Sequence, residues 1–420
     1  MKTKAVRLYG ANDLRLETFE LPEIKDDEIL VKIISDSICM STYKLLIQGK
    51  LHKRAPQDIE KNPIIIGHEF AGTIIQVGKK WQSEFKVGEK FAQQPALNYK
   101  GSLASPGYSY RFYGGSATYA IVPNEVMELG CLLHYNGEAF FDASLAEPMS
   151  CIIGGYNAMY HTNKRNYQHA SGIKPNGNVL ILGGAGPMGL GAIEYPLTLA
   201  HKPKQIVVVD IDDHRLNRAK ELVSPQYGIT HGVSITYVNS KNYSNPYDEL
   251  MKLTNGVGYH DIFVYAPIKE ICELGDRLLA FDGCFNFFAG PADKTFSANI
   301  NLYNCHYTST HILGSTGGNV DDLKESLLLS SQNKIRPALM VSHICGIDTI
   351  ANTVVNLPKF KNGKILSYTH LDLPLTAISD FATLGQTNPL FAQLHISCQK
   401  HHGLWNAEAE KILLTHFHVT

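Results

Sequence analysis

Three observations predict an α/β protein in two parts, a β-rich domain and a doubly wound parallel sheet. Short β-branched runs broken by glycine turns fill the first 150 residues. Beyond about residue 178, compact apolar runs alternate with helix-like stretches, and a glycine-rich hexamer follows directly on the first of them. The chain's 420 residues are enough to bury two such cores.

In the first part, Ile29–Ile34 and Gly72–Val77 are β-branched runs bounded by charged or glycine-containing turns, and Ala117–Val122 reads as another strand. Many short strands at irregular spacing suggest a folded-over barrel. The pattern changes near residue 150, where Met149–Tyr160 reads as a helix despite Gly154 and Gly155. Asn178–Leu182 and Gln205–Val209 follow as continuous apolar strands of the buried, parallel kind, then Leu216–Val223 as a helix and Asp261–Tyr265 as a later strand. The alternation ends near His311–Ser315. Asn319–Leu329 reads as a helix with Asp321 and Asp322 in its first turn, and the tail past His370 carries two or three more helix-like segments. One domain is thus expected to interrupt the other.

Composition excludes several functions. Hydrophobic residues make up 44% and charged residues 18%, the balance of an ordinary folded enzyme. A net charge of −1 gives no electrostatic case for nucleic acid or an anionic membrane surface. Met1–Val6 leads straight into a strand-like segment with no apolar signal-peptide core, and the most apolar stretch, 178–200, is broken by glycines, prolines and Glu194. The expectation is a cytoplasmic protein without a membrane span. Eight scattered cysteines with no CxxC pair argue for reduced thiols.

Gly184-Ala185-Gly186-Pro187-Met188-Gly189 fits GxGxxG. Such hexamers also arise as packing turns, so context decides. This one follows a buried strand and opens a helix-like stretch, where glycine admits close backbone approach and a helix N-terminus can hold a pyrophosphate. Gly184, Gly186, Pro187, Met188 and Gly189 are therefore cofactor-binding candidates. Asp210 closes the second apolar run at the position that binds an adenosine ribose 2′-hydroxyl. A carboxylate there favours NAD over NADP, and Arg215 close by pulls the other way; the reading leans to NAD.

Three segments of the first part carry metal-ligand chemistry: Cys39 just after a strand, His68 and Glu69 in Gly67–Gly72, and Glu147 in Ala146–Met149. A thiolate, an imidazole and a carboxylate are all zinc ligands, and three of them with one open position is the catalytic arrangement. Each also has an ordinary structural reading, as buried filler, a turn residue or a helix start, and no local spacing ties them together.

Taken together, these residues resemble the zinc-containing medium-chain dehydrogenase family. The likeness runs through Gly67-His68-Glu69, Gly115–Tyr119, Glu147-Pro148 and Gly184–Gly189 to about His370. The Glu-Pro pair is similar to the sorbitol-dehydrogenase branch. The stretch Gly314–Asp322 and the long tail are most similar to the L-sorbose 1-phosphate reductases.

The resemblance implies a GroES-like catalytic domain over 1–151 and 316–420, with a C-terminal extension, and a Rossmann cofactor domain over 152–315. It implies one catalytic zinc on Cys39 and His68, with Glu69 and Glu147 as direct or water-bridged ligands. Ser41 would relay the substrate's proton, and Lys44 falls where many relatives place a relay histidine. Thr42 stands where the family keeps an aspartate, so another group must orient the zinc histidine. Residues 93–110 lack the four cysteines of the family's structural-zinc lobe, so no structural zinc is expected. The implied substrate is a small polyol or sugar phosphate, for example L-sorbose 1-phosphate reduced to glucitol 6-phosphate, and the implied assembly a homodimer or homotetramer. An unphosphorylated polyol, a zinc-free reductase and a non-catalytic nucleotide-binding protein are the competing readings. Lys44, His52, Lys53 and Arg54 are the phosphate-binding candidates, or else a solvated basic loop.

Overall fold

The computed structural model describes residues 1–163, 165–360 and 363–419. They divide into two compact units. The first holds Met1–Glu147, Asn319–Ser331 and the chain from Val341 onward, and the second holds Pro148–Gly318 and Gln332–Met340.

The first unit opens with β1 (Lys2–Gly10), β2 (Asp13–Glu20), β3 (Ile29–Ile38), β4 (Ile64–Ile65), β5 (Phe70–Val77), β6 (Lys90–Gln93), β7 (Tyr119–Val122) and β8 (Leu132–Tyr135). The second unit supplies the hairpin β9 (Tyr160–Asn163) and β10 (Gln168–Ser171). Six parallel strands follow: β11 (Asn178–Leu182), β12 (Gln205–Asp210), β13 (Ser234–Asn239), β14 (Tyr259–Val264), β15 (Leu279–Phe287) and β16 (His311–Gly314). Their order, β13-β12-β11-β14-β15-β16, reverses direction beside β11 and β14, the switch point at whose carboxyl ends ligands bind. The chain then returns to the first unit as β17 (Val341–Gly346), β18 (Lys364–Tyr368) and β19 (Thr376–Ala377). These extend the large sheet β19-β17-β18-β3-β5-β6-β8, with β7 also on β3.

Helices used below are α1 (Met40–Gln48), α2 (Phe140–Asn157), α3 (Pro187–Glu194), α4 (Asp213–Leu222), α5 (Val320–Ser331), α6 (Pro389–Lys400) and α7 (Ala407–His416). Among the described residues, no helix is long and apolar enough to cross a membrane.

The apolar runs of the sequence become the middles of these sheets. Every residue of β11 is buried, as a parallel strand covered on both faces requires, and Leu180, Leu182, Val207, Ile262 and Val264 share one core. In the first unit Ile29, Val31 and Ile33 of β3 pack with Phe70, Phe91 and Val122.

Two elements run further than their sequence signals. β3 continues through Ser35, Asp36 and Ser37, because β18 and β5 pair with it there whatever its side chains are. The helix expected over 149–160 starts at Phe140, so Glu147 and Pro148 lie inside it rather than ahead of it. Its extra turns have a remote cause. The Glu410 carboxylate of α7 accepts the N–H groups of Phe140 at 2.6 Å and Phe141 at 2.8 Å, satisfying donors that a helix start leaves open. Glu410 also accepts from the Tyr368 hydroxyl at 2.8 Å, and that oxygen accepts from the Trp405 indole at 2.8 Å. The tail is thus built into the first unit.

Candidate active site

Three adjacent strands of the large sheet set the site. The register Ile365↔Ile38 between β18 and β3 places Lys364 across from Cys39. The register Asp36↔Phe70 between β3 and β5 brings His68 and Glu69 beside the end of β3. Cys39 caps α1 and is half-buried, whereas His68 and Glu69 are buried. Ligand atoms of Cys39, His68 and Glu69 all lie within 4.8 Å of one another.

Gly67 shows why the path into His68 is glycine. Its φ is +88°, and a Cβ there would come within 2.1 Å of the Asp36 carboxylate and 2.7 Å of the Ser116 nitrogen. Asp36 fills that space, fully buried, and accepts from the Ser116 hydroxyl at 3.0 Å. Burial pushes its carboxyl up to about 7 against the pull of His68. It is a buried acid beside a histidine that has Thr42, itself buried, at the family's aspartate position.

The charges around Cys39 are unevenly matched. Lys364 donates to both oxygens of Glu69, at 2.8 and 2.6 Å, with 6% and 1% of the two side chains exposed. Burial alone would raise the Glu69 carboxyl, but Lys364 and His68 outweigh it and hold it below its ordinary value. Burial, then Glu69, pushes the Glu147 carboxyl up to about 7, and burial with Glu69 raises the Cys39 thiol. Lys364 is committed to Glu69, and the Glu147 carboxyl and the Cys39 thiol are driven toward their neutral forms. A divalent cation would reverse that, and thiolate, imidazole and carboxylate are the donors zinc takes. The residues present fit the metal.

Ser41 is half-buried beside this set, its hydroxyl 3.2 Å from His68 Nε2. The Tyr108 hydroxyl lies 3.3 Å from the same nitrogen. Lys44 is half-buried one turn further along α1, where burial lowers its pKa against the pull of Cys39. His52 and Arg54 flank the Tyr108 ring, and Lys53 is exposed.

In the second unit the hexamer forms the turn between β11 and α3. The N–H groups of Gly183 and Gly184 bond the Val209 carbonyl at 2.9 and 3.0 Å. A Cβ on Gly189 would come within 2.1 Å of the Gly184 carbonyl oxygen, whereas one on Gly186 would meet nothing within 4 Å. One glycine is needed for packing, and the other leaves the backbone open to a ligand. Gly186, Pro187 and Met188 are half-buried on that open side, at the start of α3. Asp210 ends β12 and accepts from the Ala185 N–H at 3.1 Å and the Ile211 N–H at 2.8 Å. Arg215 is half-buried in the first turn of α4, two residues past the start. This geometry fits a dinucleotide.

Lys364, Asp36 and Tyr108 were not among the residues singled out from sequence. Lys364 did leave a signal, a lysine directly before the apolar pair Ile365-Leu366, and so did Asp36, an acid inside Ile33–Ile38. Tyr108 left none.

Known proteins agree with this architecture. The model of the alcohol dehydrogenase GroES-like domain matches residues 25–129, and that of the zinc-binding dehydrogenase matches 187–332. An uncharacterized protein of Escherichia coli, YggP, is 49% identical over 419 residues, covering 100% of this chain and 98% of its own. Mannitol-1-phosphate 5-dehydrogenase of Aliivibrio fischeri is 46% identical, covering 100% and 99%. L-sorbose 1-phosphate reductase of Klebsiella pneumoniae is 44% identical, covering 99% and 98%. The solved 2R,3R-butanediol dehydrogenase of Bacillus subtilis superposes with a TM-score of 0.70 at 21% identity, over 87% of this chain and 99% of its own, and supports the fold. The chain belongs to the zinc-containing medium-chain dehydrogenase family, as a GroES-like domain with a Rossmann domain. Within that family it is a zinc-dependent alcohol or polyol dehydrogenase.

Proposed function

We propose that the chain interconverts a secondary alcohol and a ketone on a hexitol phosphate or ketose phosphate, with zinc at Cys39 and His68 and a nicotinamide cofactor on the hexamer turn. The observation that carries the chemistry is the gathering of Cys39, His68 and Glu69 ligand atoms within 4.8 Å of one another, beside the Ser41 hydroxyl. Bound there, zinc would supply Lewis acidity to the substrate oxygen and the nicotinamide would carry the hydride.

The chain's own residues do the rest. Cys39 and His68 hold the metal, with Glu147 or Glu69 as the third protein ligand. Lys364 keeps Glu69 ionised, and the Ser41 hydroxyl relays the proton that leaves the substrate, accepting it as it passes its own on toward solvent. Two relatives named for sugar phosphates, each matched over nearly its whole length, support the substrate class. A free polyol is the second reading, favoured by the sorbitol dehydrogenase of Bombyx mori, 30% identical over 240 residues.

Metal analysis together with a substrate panel tests this reading. The expected result is about one zinc per chain, and NADH oxidation with L-sorbose 1-phosphate or fructose 6-phosphate that outpaces oxidation with the free ketoses. Turnover of free ketoses only would keep the chemistry and discard the phosphate. Absence of zinc from an active preparation would remove the metal mechanism.

For the cofactor, Asp210 at the ribose position supports NAD. We expect kcat/KM for NADH to exceed that for NADPH by about tenfold or more, and Asp210→Ser to narrow the gap. A wild-type preference for NADPH in the same assay would overturn the choice.

A further inference from the structure

Tyr108 is the hub of a second group of side chains beside the metal set. Its ring stacks on His52, with centroids 5.4 Å apart and planes 12° from parallel. The Arg54 guanidinium lies over the same ring, 5.4 Å from its centroid. The hydroxyl at the ring's far end is the one that approaches His68 Nε2 at 3.3 Å.

These groups share a charge pattern. His52 Nδ1 accepts the Arg54 backbone N–H at 3.3 Å, so in the neutral ring the proton sits on Nε2, which is then a donor. Burial, followed by the charges of Arg54, Lys53 and Lys44, pulls the His52 pKa down to about 4. His52 is therefore neutral in a positive field. The acids of the same loop are turned to other partners: Asp58 accepts from Asn62 at 2.6 Å, and Glu60 pairs with Lys50 at 3.1 Å. Among the described residues, no carboxylate lies within ion-pair distance of the Arg54 guanidinium. A half-buried guanidinium fork with a neutral imidazole donor beside it and two lysines nearby suits a compact dianion.

We propose that Arg54 and His52, with Lys44 adding charge, form the seat for the phosphate monoester of the sugar substrate, and that Tyr108 walls this seat off from the metal ligands. The proposal rests on the sugar-phosphate reading above. Arg54 grips the phosphate oxygens with its planar fork, His52 donates through Nε2, and the Tyr108 ring holds both in place. The seat thereby selects a phosphorylated ketose over a free one.

Steady-state kinetics of the whole enzyme test it, with wild type, Arg54→Gln and Arg54→Lys each assayed on fructose 6-phosphate, L-sorbose 1-phosphate and the free ketoses. In Arg54→Gln, the preference for the phosphorylated over the free ketose, as a ratio of kcat/KM, should fall about 30-fold, through KM rather than kcat. Arg54→Lys should recover part of it, since the charge remains and the fork is lost. Inorganic phosphate should compete with the free ketose in wild type and about tenfold more weakly in Arg54→Gln. Zinc content and melting temperature close to wild type show that the variant is folded. Unchanged preference in a folded Arg54→Gln, with wild type still favouring phosphorylated ketoses, overturns the seat and leaves the sugar-phosphate reading standing. Wild type that favours free ketoses overturns the reading, and the seat with it.

Discussion

Replacing Lys364 with methionine should cost about 3–5 kcal/mol of stability and reduce turnover to a small fraction of wild type. Methionine fills similar space, so the loss comes from charge. In the native chain Lys364 reaches both oxygens of a Glu69 side chain only 1% exposed. Without the ammonium, that carboxylate is left ionised and buried beside Glu147 and Cys39, or it protonates.

The pH dependence separates this from simple cavity formation. With Lys364 present, Glu69 is held below its ordinary value, so its contribution to stability is complete above a pH of about 4.3 and is lost only in stronger acid. In Lys364→Met burial dominates and raises the carboxyl instead, so the variant loses stability as pH climbs above that point. Urea denaturation of the chelated proteins should therefore show the gap between wild type and variant widening from pH 5 to pH 8. A constant gap would mean that Lys364 contributes packing and not charge. Lys364→Arg should restore the pH behaviour, since it restores the charge.

The parts of this molecule that were legible in the sequence are those encoded locally. Runs such as Val179–Leu182 and Ile206–Val209 announce buried parallel strands because apolar side chains are needed on both faces. The hexamer announces its turn because Gly184 and Gly189 pack against each other with no room for a side chain. The metal set was legible only as separate fragments. What joins them is strand register, Ile38 against Ile365 on one side and Asp36 against Phe70 on the other. A pairing across more than 300 residues leaves no mark at either end except an out-of-place charge: Lys364 opening the buried strand β18, Asp36 inside the buried end of β3.

Asp36 also bears on the missing aspartate at Thr42. A carboxyl is present on the histidine's side of the site, but it comes from the strand before Cys39 and not from the helix after it. Spacing from Cys39 therefore could not locate it. Gly67 and Gly115, whose Cβ atoms would collide with Asp36 at 2.1 and 2.6 Å, are its sequence trace, and they read as ordinary turn glycines until the carboxylate is placed between them.

Glu410→Ala should lower stability by about 2–4 kcal/mol, the sum of a lost helix cap and a stranded buried hydroxyl. The carboxylate accepts two N–H groups at the start of α2 and the hydroxyl of Tyr368, all buried. Glu410→Gln keeps one acceptor oxygen and should fall between wild type and the alanine variant. The effect should reach the metal set as well, because α2 carries Glu147 two turns further on and is tied to β3 by a 2.7 Å hydrogen bond between Ser144 and Ser35. Fraying the first turn of α2 loosens the Glu147 carboxyl, which lies within electrostatic reach of Cys39 and His68. Zinc should then be lost to a chelator faster in Glu410→Ala than in wild type, at a temperature where both remain folded. Equal rates of zinc loss, with the stability cost intact, would limit the tail to buttressing α2 and detach it from the chemistry. A faster rate would make the C-terminal helix part of what holds the active site in place.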